Sequence, residues 1–200
     1  MTRRAWWPLL AVPAVVVLGL VARPFGFGEL LVKRPHELLA PPVLALTVLL
    51  CARRALATDD LLFAWLTGLA AVFLVREVHF AGSDPITGAG LLLLAVWAAI
   101  RRRALRDALL AWRHAPWLYA TALCYLLSQL VGKRVFKALP GERGLHIGME
   151  ELLETAAHLL FLLCAVLGQA GLGRRRSRRL DALEGSRMPD RGASRADQPG

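Results

Sequence analysis

Residues 150–169 constrain the fold of this chain more than any other stretch. They read EELLETAAHLLFLLCAVLGQ, which is apolar enough to cross a bilayer, yet their first half carries four ionisable side chains. A segment in lipid must satisfy its backbone hydrogen bonds internally, and a helix does this within one segment. At about 100° per residue, Glu151, His158 and Gln169 lie on one stripe of that helix. Because ionisable groups at membrane depth normally face a bundle interior, the stripe predicts a helix with one buried polar side.

The composition indicates a membrane protein. The chain has 200 residues, 56% of them hydrophobic, with a mean hydropathy of +0.47. Its formal net charge of +10 would suit nucleic acid, but the basic residues flank the apolar runs or lie near the end of the chain. Membrane topology explains that distribution better, so we expect no nucleic-acid partner. Alternating strand patterns are absent from the sequence, and the predicted class is an all-α, polytopic membrane helical bundle.

Apolar runs separated by charged loops predict six spans in one domain, residues 1–172. The first run is interpreted as a span, because Leu20 is large where a signal-peptide cleavage site needs a small residue. The second span is expected to open on Pro41 and Pro42, since proline suits a first helical turn. The predicted spans are residues 5–22, 38–52, 60–80, 86–100, 116–132 and 150–172.

Two basic segments lie outside the predicted spans. Residues 101–113 place Leu105, Leu109 and Trp112 on one side with arginines around the rest. They predict an interfacial helix on anionic lipids of the cytoplasmic face, with a solvated continuation of the fourth span as the alternative. Residues 173–200 are too polar to bury a core and predict a disordered basic cytoplasmic tail.

Lys and Arg are more numerous on the side that holds both termini. The positive-inside rule therefore predicts a multi-pass protein of the bacterial plasma (inner) membrane with cytoplasmic N- and C-termini. In either orientation, six spans bring the polar residues of spans two, three, five and six to one membrane face, the extracytoplasmic face in this orientation. The predicted polar cluster comprises Arg76, Glu77, His79, Gln129, Lys133, Glu150, Glu151, Glu154 and His158.

The residue types in this cluster support three kinds of site. In an ion-pair network, Arg76, Lys133 and Arg134 would neutralise the carboxylates and fix which helices pair. In a divalent, zinc-like metal site, two imidazoles and two carboxylates would be the ligands, and a bound metal would activate water for hydrolysis. A transport or ligand pocket is the third. The metal ligands would be Glu77, His79, Glu154 and His158.

Arginine and lysine residues near the carboxylates favour the ion-pair network, because cations disfavour a bound metal. We therefore predict a non-enzymatic integral membrane protein whose cluster is structural or binds a ligand or partner, with no cofactor. The alternative function is a metal-dependent intramembrane hydrolase that acts on a lipid or lipid-linked substrate.

Two motifs carry a resemblance to a known family. The segments REVHF at residues 76–80 and EELLE at residues 150–154 resemble motifs of a family of small, functionally uncharacterised bacterial inner-membrane proteins. In that family a span ending in R-E-hydrophobic-D-F-H precedes a Lys-bearing span and an E-E-x-x-E helix. Here His79 stands where the family has Asp, and Ala81 where it has His. The resemblance implies a polytopic inner-membrane bundle and names no activity.

A more distant similarity is to the alkaline ceramidase-like membrane hydrolase superfamily. Those enzymes place a Ser, an Asp and three His around zinc. Glu154 and His158, at positions i and i+4, stand where that superfamily has paired histidines in its last span. Only the general layout is shared, with one histidine where the superfamily has two, so the zinc-dependent activity is not carried over to this chain.

Overall fold

The computed structural model describes residues 6–22, 25–26, 33–78, 80–135, 137 and 142–169, with only the backbone at 33 and 142–145. Within these residues the regular structure is entirely helical, which confirms the all-α prediction. The predicted tail, residues 173–200, lies outside the described part. A short 3₁₀ turn, Trp7–Leu10, precedes seven helices: α1 (Ala11–Ala22), α2 (Lys33–Thr58), α3 (Leu61–Glu77), α4 (Ser83–Ile100), α5 (Arg102–Ala111), α6 (Ala115–Gly132) and α7 (Glu142–Gln169).

Three described helices are long and apolar enough to cross a membrane: Arg34–Thr58, Ser83–Ile100 and His146–Gln169. Helix α3 has 17 residues and rises about 26 Å, which is short of the ~30 Å hydrocarbon core of a bilayer. The apolar helix Trp7–Ala22 is shorter still. In α6, polar residues such as Thr121 and Gln129 interrupt the apolar sequence. The structure thus supports a membrane protein and gives three of the predicted six spans the expected length and composition.

Helix α7 lies at the centre of the bundle, in contact with α1, α2 and α6. It runs parallel to α2, because contacts at both ends join residues in the same order. His36 Nδ1, near the start of α2, lies 2.8 Å from Thr155 Oγ1 in the middle of α7. Farther along both helices, Gln169 Nε2 donates to the Leu50 carbonyl oxygen, 2.7 Å away.

Helices α3 and α6 run antiparallel to α7. For α3, Arg76 contacts Glu154 at one end and Phe63 packs against Gly168 at the other. For α6, Thr121 lies beside Cys164, Tyr125 beside His158, and Gly132 beside Glu150. One end of the bundle therefore collects the last turns of α3 and α6, the first turns of α2 and the middle of α7, residues 150–158. We call it the polar end.

The other end of the bundle is built around Phe63, which is fully buried. Its ring packs edge to face with Trp112, with 5.4 Å between ring centroids, and the Arg54 guanidinium carbon lies 4.3 Å above its centroid. Arg54 also pairs with Asp60 at 3.4 Å, and the Asp60 side chain caps the first turn of α3 by accepting from the Leu62 backbone N–H. These contacts fix the tight turn between α2 and α3.

The interpretation of Pro41 and Pro42 as a first turn is wrong. Helix α2 begins at Lys33 and continues through both prolines. Each proline removes one backbone hydrogen bond, but neighbouring helices commonly compensate for this in membrane helices. Here Ala40 and Leu44 are buried on either side of the pair, so packing holds the helix together. Helix α7 likewise begins at Glu142, earlier than the predicted span.

Helix α5 is separate from α4 and turns back onto the bundle. Leu105 and Leu109 pack against the buried cluster that contains Phe63 and Trp112, so much of the apolar side of α5 is covered by the protein itself. Its arginines are exposed. Because α5 contacts α3 as well as α4, it does not extend α4 in a straight line.

The close packing of Gly168 against Phe63 makes a testable prediction. A Cβ at Gly168 would collide with the Phe63 ring and come within 3.4 Å of Arg54 Cδ, whereas a Cβ at Gly88 on α4 would meet nothing within 4 Å. Both Gly→Ala changes gain the same helix propensity. We expect Gly168→Ala to be less stable than Gly88→Ala by about 1–3 kcal/mol, the usual cost of overpacking a core. Thermal unfolding of both variants in one detergent measures the difference, and equal melting temperatures would contradict it.

Candidate functional site

Two carboxylates and one imidazole meet at the polar end. One ligand atom each from Glu77, Glu154 and His158 lies within 4.8 Å of the other two. Glu154 and His158 share a face of α7 because they are four residues apart. Glu77 is the last residue of α3, and α3 runs antiparallel to α7 with side-chain contacts at both ends, which brings Glu77 to the same level. The three side chains are close enough for one metal ion to reach them after small rotations.

Arg76 adds a positive charge to this group. Its Nη1 lies 2.9 Å from Glu154 Oε1, and the side chains of Arg76 and Glu154 are 33% and 12% exposed. The contact is an ion pair without hydrogen-bond geometry. The carboxylate is thus on the buried side of the pair and the guanidinium on the more accessible side.

His158 is the most buried member of the site, with 2% of its surface exposed. Its ring packs edge to face against Tyr125, with 5.4 Å between centroids, and Tyr125 in turn contacts Phe73 at 4.6 Å. These aromatic rings from α6 and α3 shield the imidazole from the surroundings. The Nδ1 atom of His158 is buried and has no hydrogen-bond partner.

Buried polar atoms without hydrogen bonds concentrate around this histidine. Of the seven such side-chain atoms in the described residues, four belong to α6 or α7 at the polar end: Tyr125 Oη, Ser128 Oγ, Glu154 Oε1 and His158 Nδ1. Leaving a buried polar group unsatisfied costs about 1–3 kcal/mol. Such groups call for an explanation, for example a bound water or ion. Glu154 Oε1 is paired with the Arg76 charge at 2.9 Å, so the three atoms left without a hydrogen bond or an ion pair are Tyr125 Oη, Ser128 Oγ and His158 Nδ1.

Two further contacts close the polar end around the site. His36 of α2 bridges to Thr155 of α7. On α6, a Cβ at Gly132 would overlap the Glu150 carboxylate, so the absence of a side chain there lets Glu150 lie against the helix. Both contacts tie the middle of α7 to its neighbours, on either side of Glu154 in the sequence.

The structure brings together only part of the predicted cluster. Arg76, Glu77, Glu154 and His158 meet, whereas Gln129 on α6 and Lys133 just after it are exposed. Glu150 and Glu151, about one turn before Glu154 on α7, are half-buried. His79, the fourth predicted metal ligand, lies outside the described residues.

Sequence reasoning missed two members of the site, Tyr125 and Ser128. Their spacing from Thr121, at four and seven residues, places all three on one side of α6. That side packs on α7: Thr121 and Ser128 are buried, and Tyr125 contacts His158. The spacing was the available signal, but polar residues in a membrane helix do not reveal which neighbour they meet.

The arrangement suits a divalent metal ion. Carboxylate oxygens and an imidazole nitrogen together match Zn²⁺, Mn²⁺ or Fe²⁺. Three protein ligands would leave a coordination position for water or substrate, as in catalytic zinc sites. Arg76 is the group that opposes metal binding, since it already neutralises part of the carboxylate charge.

Comparisons with known proteins give no relative from which to assign this site. The chain matches no protein-family model, no curated protein and no solved structure.

Proposed function

We propose that this protein is a multi-pass membrane protein that binds a divalent metal ion, such as Zn²⁺, through Glu77, Glu154 and His158. One observation carries the proposal: the three ligand atoms converge within 4.8 Å, and the nearly fully buried His158 has an Nδ1 atom without a partner. Buried imidazole and carboxylate groups without full hydrogen bonding are costly to keep, and a bound cation would offset that cost.

The proposed membrane arrangement is the six-span bundle of a bacterial plasma membrane, with both termini cytoplasmic and the polar end extracytoplasmic. Two observations support it. Helices α2, α3, α6 and α7 run in the directions that six successive crossings require. The opposite end carries the exposed arginines of α5 and Arg53, as the positive-inside rule requires of a cytoplasmic face. Those arginines would contact anionic lipid headgroups.

Metal analysis of the purified protein tests the proposal. We expect about one Zn²⁺ per chain in the wild type after equilibration with Zn²⁺ and removal of the excess. His158→Ala should lose most of it, since His158 supplies the nitrogen ligand. His114→Ala is the matched control at the opposite end. The His114 imidazole is also partly buried, and burial, followed by the charges of Arg113 and Arg54, lowers its pKa. Equal metal content in wild type and His158→Ala, or none in either, would refute the proposed site.

A second candidate function is purely structural, and the 2.9 Å contact between Arg76 and Glu154 favours it. In that case the ion pair locks α3 to α7 and the site takes no ligand. A wild-type protein that binds no Zn²⁺, yet loses stability when Arg76 is replaced, would identify this role.

A further inference from the structure

We infer that α4 and the first turns of α5 form a binding site for an anionic phospholipid whose headgroup carries two phosphates. The acyl chains lie along the exposed side of α4, and the arginines of α5 bind the phosphates. The inference rests on the proposed membrane arrangement and is independent of the metal site at the polar end. It names the class of lipid that the opposite end of the bundle takes.

Helix α4 has an apolar surface that the protein itself does not cover. Leu92, Val96 and Ile100 recur every four residues and so form one stripe along the helix. They are 66%, 49% and 73% exposed. Because α4 is long and apolar enough to cross a membrane, this stripe is placed to contact the acyl chains of a bilayer.

The arginines of α5 continue from the end of this stripe. Helix α4 ends at Ile100, and α5 begins two residues later, at Arg102. Since an apolar helix that crosses a membrane ends near the headgroups, the start of α5 lies at headgroup level. Leu105 and Leu109 then pack on the buried cluster that contains Phe63, so α5 stays against the bundle. This packing keeps the arginines close to the lipid phosphates.

Charge and spacing favour a headgroup with two phosphates. Residues 101–107 comprise four arginines, all of them exposed, one aspartate and two apolar residues, so their formal charge is +3. Arg102 and Arg106 share one side of α5 because they are four residues apart, and Arg103 is three residues from Arg106. A guanidinium binds phosphate oxygens through two parallel hydrogen bonds. One phosphodiester would neutralise one positive charge, whereas two linked phosphodiesters would neutralise two and contact different guanidinium groups.

Lipid binding to the full-length, detergent-purified protein tests this inference, with native mass spectrometry as the measurement. Cardiolipin, with two phosphates, is compared with phosphatidylglycerol, with one, at equal phosphate concentration. Basic residues near a membrane surface each contribute about 1 kcal/mol to the binding of anionic lipids. We therefore expect wild type to bind cardiolipin about tenfold more tightly than phosphatidylglycerol.

Two double variants locate the site. Arg102→Gln, Arg106→Gln should weaken cardiolipin binding by about tenfold or more. Glutamine has nearly the helix propensity of arginine, so α5 should remain helical. Lys133→Gln, Lys137→Gln is the matched control, because it removes two exposed positive charges after α6, at the other end of the bundle. The control should bind cardiolipin as wild type does.

Sodium pyrophosphate, a soluble diphosphate without acyl chains, distinguishes a lipid site from a general phosphate site. At equal phosphate concentration it should not displace cardiolipin, since it makes no contact with the stripe on α4. Three results would each overturn the inference: equal affinity for the two lipids, full displacement by pyrophosphate, or unchanged cardiolipin affinity in Arg102→Gln, Arg106→Gln. If that variant does not fold, the lipid preference of wild type and the pyrophosphate competition decide. None of these measurements involves Zn²⁺ or the side of the membrane that α5 faces, so failure here leaves the proposed function standing.

Discussion

Phe63→Ala is expected to destabilise the protein by about 3–5 kcal/mol, the usual cost of truncating a buried phenylalanine. Phe63 is fully buried, packs edge to face on Trp112, and lies under the Arg54 guanidinium. Its ring also fills the space left by Gly168 on α7. One substitution therefore removes contacts that join α3 to α2, to α7 and to the segment after α5, and the surrounding helices cannot all collapse into the cavity.

Leu92→Ala is the control for this experiment, because Leu92 is 66% exposed on α4 and leaves no cavity when truncated. Unfolding in one detergent, by heat or by a denaturant, gives both stability changes. A loss for Phe63→Ala no larger than that for Leu92→Ala would mean that the Phe63 cluster does not hold this end of the bundle together.

The sequence predicted the helical class well because membrane helices leave a strong local signal. An apolar run of adequate length must be a helix, since lipid offers no hydrogen bonds to the backbone. The signal is weaker at helix ends. Pro41 and Pro42 look like a helix start, but α2 continues through them, because the buried neighbours Ala40 and Leu44 outweigh a local preference. Tertiary packing of this kind is not encoded in any short window of residues.

The sequence indicates which residues gather at the polar end, but it does not indicate which of their side chains contact each other. Glu154 and His158 fall on one face of α7 by their spacing alone, and the parity of the spans places the end of α3 beside them. Which carboxylate Arg76 contacts depends on distances of a few ångströms between two helices. The structure pairs it with Glu154 at 2.9 Å. The same limit hid Tyr125, whose role depends on its contact with His158 across the α6–α7 interface.

In the absence of metal, Arg76→Gln is expected to destabilise the protein by about 3 kcal/mol, the lower end of the range for breaking a buried ion pair. The lower end applies because Arg76 is 33% exposed, and water already weakens its attraction for Glu154. Most of the cost comes from the Glu154 carboxylate, which stays buried at 12% exposure without its ion-pair partner. Chemical denaturation in metal-free detergent solution measures it.

The double variant Arg76→Gln, Glu154→Gln separates this cost from simple loss of packing. Removing both charges leaves no unpaired buried ion, so we expect the double variant to recover to within about 1 kcal/mol of wild type. If the stability losses of the single variants Arg76→Gln and Glu154→Gln simply add in the double variant, the ion pair itself contributes nothing to stability. Zn²⁺ should raise the stability of Arg76→Gln more than that of wild type, because a ligand that binds the folded state stabilises it by RT ln(1 + [L]/Kd), which grows as Kd falls. It should leave the double variant unchanged, since that protein lacks the Glu154 ligand, and this contrast would show that Arg76 and the metal act on the same carboxylate.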